Sequence, residues 1–111
     1  MGSGTILTDG GQGTFTMNVM KVKGGKVKGN FSYSDSAVQL SFSATKFSSL
    51  TFSGRTAQFS GTGKVGKKQK FNFTVYATDN GDPGTNDTFS INLSNGYSAG
   101  GNLTSGNIAI H

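Results

Sequence analysis

The chain has 111 residues, with ten Lys and Arg against five acids, a net charge of +5 and a pI near 9.7. That is enough for one domain. The absence of Cys excludes a disulfide scaffold, and a single His leaves no Cys/His zinc set. All five acids are Asp, and the missing Glu, a favoured residue of helix surfaces, fits a chain with few or no helices.

Met1-Gly2-Ser3-Gly4 reads as an expression start with a linker scar, which puts a single β domain at 5–111. From there apolar residues recur with period two, the signature of strands with one wet face. Phe15, Met17 and Val19 share a face of the first long strand, and Val27, Phe31 and Tyr33 a face of the next. Val38, Leu40, Phe42 and Ala44 follow, then Leu50 with Phe52 and Ala57 with Phe59. Phe71, Phe73, Val75 and Ala77 form another run, as do Phe89, Ile91 and Leu93, and the chain ends on Ile108 and Ile110. Gly24-Gly25, Ser34 to Ser36, Ser53-Gly54, Gly66 and Asn95-Gly96 supply turn signals between the runs. The sole proline, Pro83, falls in a turn cluster and interrupts no strand. The expected fold is all-β: an antiparallel β-sandwich or flattened barrel of about eight to ten short strands, with phenylalanines filling the space between sheets. No run of about 18 apolar residues is present to span a membrane as a helix.

The inventory of chemical groups argues against an enzyme. The lone His is the terminal residue His111, and a Ser-His-Asp arrangement has nothing to hold it. Asp79, Asp82 and Asp87 lie close together, but in a Gly/Pro/Asn segment that reads as solvated, without apolar neighbours to raise a carboxyl pKa. That segment has two readings. Asp79, Asn80, Asp82, Asn86 and Asp87 offer the hard oxygens that calcium takes, with glycines to turn carbonyls inward. Alternatively, Asx, Gly and Pro are simply turn residues, with Asp87 capping the turn through backbone N–H groups. No other cofactor is implied.

Lysines gather around two hairpin tips. Lys21, Lys23, Lys26 and Lys28 flank Gly24-Gly25, and Lys64, Lys67, Lys68 and Lys70 flank Gly66. At one end of the molecule the two tips would form a positive patch for nucleic acid, teichoic acid or an acidic polysaccharide. Lysines also keep sheet edges from pairing with one another, and Arg55 is the only arginine to accompany them. Sequons at Asn30, Asn72, Asn86, Asn92 and Asn102 are what a chain rich in Asn, Ser and Thr produces by composition. No buried acid that would assist a Lys–Asn isopeptide bond is evident.

The last third carries a recognisable pattern. Thr74 to Thr78 leads into DNGDPG…DTF, a strand at Phe89 to Leu93, the NGY of Asn95 to Tyr97, and a close on Gly106-Asn107-Ile108 with Ile110-His111. This resembles the closing segment of a small all-β, post-COAP-like module of large secreted or cell-surface bacterial proteins. GKVKGNFSY at Gly25 to Tyr33 and TAQFSGTGKV at Thr56 to Val65 fit the same plan, so the resemblance covers most of the chain beyond Gly10. The basic character departs from the near-neutral or acidic charge expected of that class.

The resemblance implies an extracellular or cell-surface setting, neighbouring domains of a parent protein as partners, and a structural or adhesion role as spacer or display domain. Two alternatives stand beside it. One is a glycan- or polyanion-binding module using the lysine tips or exposed Tyr76 and Tyr97; the other is a fibre-forming subunit that self-associates by β-strand addition at an open edge.

Overall fold

The structure, a computed structural model, describes residues 2–8, 10–66, 69–80 and 87–108. It contains eight antiparallel strands: β1 (Gly2–Thr8), β2 (Gly11–Lys21), β3 (Val27–Asp35), β4 (Leu40–Ser53), β5 (Thr56–Val65), β6 (Gln69–Thr78), β7 (Thr88–Leu93) and β8 (Ser98–Ile108). Each strand pairs with its neighbours in sequence, and β8 pairs with β1, so the sheet closes into an up-and-down barrel. The sandwich expectation is therefore corrected. Alternation fixes which residues face inward but not whether the last strand returns to the first, and here Gly2–Ile6 pairs with Leu103–Ile108. Gly2–Gly4, expected as a linker, runs as strand paired on both sides.

An eight-stranded barrel is just wide enough for its interior to be filled by side chains, and aromatic rings fill this one. Phe15 stacks on Phe89 with centroids 4.0 Å apart. Phe31 sits among Phe42, Phe59, Phe73 and Phe89, with centroids 5.3 to 6.3 Å away. Ile6, Met17, Val19, Leu50, Val75, Ile91, Leu93, Leu103 and Ile108 complete the buried cluster. The inward runs of β2, β6 and β7 follow the expected period. Val38 does not: it lies in the β3–β4 turn and is 61% exposed. Phe52, at the far end of β4, is 45% exposed. Ile110 and His111 lie outside the described residues.

The runs ending at Ala44 and beginning at Leu50, read separately in the sequence, lie on one continuous strand of 14 residues, Leu40–Ser53. The register against β5 shifts twice, between Ala44 and Lys46 and between Phe47 and Ser49, leaving Thr45 and Ser48 as bulges. The inward residues of β4 are thus Leu40, Phe42, Ala44, Phe47 and Leu50, spaced by two before the bulges and by three across each bulge. Phe47 packs edge-on against Phe59 and Phe73, although it falls out of phase in the sequence. Opposite it stands Gly61, where a Cβ would run into the carbonyl oxygen of Lys46. Only glycine lets the bulged backbone approach so closely. Gly61→Ala is expected to cost about 1–3 kcal/mol through overpacking against main chain. Thermal melting checks this, and an unchanged Tm contradicts it.

The ladder between β3 and β4 has four pairs, Ser32–Asp35 with Leu40–Ser43, and is the shortest in the barrel. Beyond Ser43 the ladder between β4 and β3 ends. Strand addition thus finds no fully open sheet edge among the described residues. Of the stretches paired on one side only, Ala44–Ser53 carries both bulges and Lys46, features that block edge-to-edge pairing, and Val27–Phe31 of β3 is five residues long and carries Lys28.

The outward residues are Ser, Thr, Asn, Gln and Lys almost throughout, as in Gln12, Thr14, Thr16 and Asn18 of β2. Hydroxyls pair across strands, Thr5 with Thr104 and Ser105, Thr56 with Thr78 and Ser49 with Ser60, at 2.6 to 2.8 Å. An apolar interior under a hydroxyl and amide coat is the reverse of a transmembrane barrel, whose lipid-facing band is apolar.

Candidate functional site

Turns of an up-and-down barrel alternate between its two ends, which decides how the expected site residues relate. The β2–β3 tip, with Lys21, Lys23, Lys26 and Lys28, shares one end with the β4–β5 turn and the segment after β6. The β5–β6 tip, flanked by Lys64 and Lys70, lies at the opposite end; Lys67 and Lys68 lie outside the described residues. The two lysine groups do not merge into one patch. For the six described lysines of the two groups, the condition that both tips share one end is not met.

Of the five residues in the calcium reading, Asp82 and Asn86 lie outside the described residues. Asp79 donates its backbone N–H to the carbonyl of Arg55 at 2.9 Å. Asp87 is 0% exposed rather than solvated. One carboxylate oxygen accepts the N–H of Asn80 at 2.7 Å and the other the N–H of Ile108 at 2.8 Å. Its own carbonyl accepts the N–H of Leu103 at 3.0 Å. Asp87 therefore staples the end of β6 and the end of β8 to the start of β7, the turn-capping role in a buried form. Among the described residues no three His, Cys, Asp or Glu side chains come together in a metal-binding group.

A second buried acid, unforeseen in the sequence, plugs the opposite end. Asp35, 4% exposed, closes β3. Its carboxylate accepts the Thr8 hydroxyl and the Ala37 N–H at 2.9 Å each, and the Tyr97 hydroxyl at 2.6 Å. The Tyr97 oxygen lies 2.7 Å from that of Tyr33, so β1, β3, the β3–β4 turn and the β7–β8 turn meet at one carboxylate. Burial pushes the Asp35 carboxyl up, but the Tyr97, Ala37 and Thr8 donors together hold it below its ordinary value. Burial raises both phenols, and for Tyr97 the adjoining carboxylate adds to the shift. Tyr97, expected as an exposed contact residue, is thus half-buried, whereas Tyr76 is exposed. Both buried carboxylates have their oxygens engaged by hydrogen-bond donors of the fold.

Hollows lie on the outside of the barrel. One of about 300 Å³ beside Asp35 is rimmed by Leu7, Val38 and Tyr97. Another of about 280 Å³ lies beside Tyr76. A third, of about 410 Å³, crosses β4, β5 and β6 over the bulges and is lined by Lys46, Ser48, Thr62, Asn72 and Thr74, with Phe47, Gly61 and Phe73 beneath.

Compared with protein-family models, curated proteins and solved structures, the chain matches none.

Proposed function

We propose that the chain is a non-catalytic display module of a secreted or cell-surface protein. The observation that carries this is the pairing of β1 with β8. Gly2 sits opposite Ile108, so the two ends of the described chain lie side by side at one end of the barrel. A spacer in line with its neighbours lengthens a chain by holding its ends apart. This barrel, up to 34 Å across, brings them together and stands off as a head. The filled interior and the satisfied carboxylates support a role without chemistry. The extracellular setting rests on the resemblance of the C-terminal third to bacterial surface modules.

The test is made in the parent protein. Residues 2–108 are replaced by a short Gly/Ser linker and the maximum dimension is measured by small-angle scattering. A display head is expected to leave the separation of its neighbours nearly unchanged. Shortening by the full 34 Å would make the barrel an in-line spacer.

The polyanion reading keeps one specific support, the four lysines of the β2–β3 tip. Heparin affinity should then fall with salt at a log–log slope of about −4 or shallower, since one tip is engaged. A slope of about −7, with both tips required, would show the two lysine groups acting together.

A further inference from the structure

We propose that the groove over the β4 bulges binds an acidic saccharide. The groove exists because Thr45 and Ser48 bulge out of register, bending the outer face of β4–β6, while Gly61 lets the β4 backbone sink toward β5. Bulges of this kind re-aim side chains and gather near functional sites. Its volume of about 410 Å³ lies within the ~300–1,000 Å³ of small-molecule sites and exceeds the hollows beside Asp35 and Tyr76.

The lining selects the ligand. Across the three strands, Lys46, Thr62 and Asn72 form one outward row, and Ser49, Ser60 and Thr74 the next. The hydroxyls of Ser48 and Ser49 each hydrogen-bond that of Ser60, which orients them. Among the described residues, the side chains of Thr62, Asn72 and Thr74 meet no protein partner, which leaves their donors and acceptors for a ligand. A polyol, with many hydroxyls of its own, is the chemical complement of such a surface. Among the described residues that line the groove, Lys46 carries the only charge and none is a carboxylate, with Lys64 and Lys70 on the next outward row, so a sugar carboxylate is attracted and no lining group repels it. A nucleic acid would call for several cations and exposed aromatic platforms. Here one cation lines the groove, Phe73 is buried in the barrel, and the half-buried Phe47 ring is packed edge-on against Phe59 and Phe73 rather than standing free for a base.

The experiment is an NMR titration of the isotope-labelled chain with trigalacturonate, and with maltotriose as the neutral counterpart, at physiological ionic strength. Shifts are expected at Lys46, Gly61, Thr62, Asn72 and Thr74, with maltotriose binding more weakly. Lys46→Gln should weaken trigalacturonate at least about tenfold, the loss of one charge-assisted contact, and leave maltotriose unchanged. Asn72→Ala should weaken both. Lys46 is exposed, so its variant is expected to keep the fold, which thermal melting checks. The proposal fails if the groove residues do not shift, if Lys46→Gln binds as the parent does, or if Lys23→Gln with Lys26→Gln weakens binding equally. That last result would mean diffuse attraction to a basic protein.

Discussion

Asp87→Ala should lower the stability of the barrel by about 3–6 kcal/mol, from two hydrogen bonds to a buried charged acceptor at ~1.5–3 kcal/mol each. At roughly 4 °C per kcal/mol for a domain of about this size, Tm falls by ~12–24 °C. The reason is positional. Asn80 ends the segment after β6 and Ile108 ends β8, and their N–H groups point at the two oxygens of one carboxylate. Truncation leaves both donors without an acceptor, one of them at a buried residue at the barrel's closing seam. Asp87→Asn keeps one acceptor oxygen and should cost about half as much. Melts in calcium and in EDTA separate this role from a metal site. If Asp87 acts as a staple, the loss on truncation is the same in both. If the parent gains stability with calcium and Asp87→Ala removes that gain, the residue is a ligand instead.

Both buried aspartates were legible in principle. Phe31, Tyr33 and Asp35 stand at intervals of two, as do Asp87, Phe89, Ile91 and Leu93. In each run the acid occupies the inward slot one step beyond the apolar residues, where the strand leaves the barrel. A charge in that phase reads at first as the end of a strand in solvent. Its burial depends on partners remote in sequence, Thr8 and Tyr97 for Asp35 and Ile108 for Asp87, which alternation does not supply.

The same limit explains the rest. Period two gave the inward sets of β2, β6 and β7 because those strands are regular. It failed across Ala44 to Leu50, where each bulge adds a residue and Phe47 drops out of phase. The remaining clue was Gly61, a glycine inside a strand, which marks a close backbone approach. Closure of the barrel left no mark on hydropathy, yet it decides how the functional candidates are arranged. The up-and-down strand order sends the lysine tips to opposite ends, while closure brings Gly2 beside Ile108 and leaves no fully open sheet edge among the described residues.

The Asp35–Tyr97–Tyr33 cluster predicts a stability profile that falls at both extremes of pH. The Asp35 carboxyl is held below its ordinary 3.8 in the folded chain. Its contribution is therefore present above that value and lost as pH falls through the lower folded one, so acid weakens the barrel below about pH 4. The phenols behave in the opposite sense. Burial, reinforced for Tyr97 by the hydrogen bond to Asp35, holds both above their ordinary 10.0. Their contribution is complete below pH 10 and is lost as pH rises beyond it, because the unfolded chain ionises first. In a Tyr76→Phe background, which removes the third tyrosine, tyrosinate absorbance should rise only as near-ultraviolet dichroism collapses. Ionisation ahead of unfolding would show the phenols to be open to solvent. Tyr97→Phe should cost about 1.5–3 kcal/mol near neutrality, one hydrogen bond to a charged acceptor. It should also move the acid limb to higher pH, because a carboxylate that has lost a donor protonates sooner. A Tyr97→Phe, Asp35→Asn double-mutant cycle isolates the pair. Coupling that shrinks as pH falls through the acid limb identifies the charge on Asp35 as what holds that end of the barrel closed.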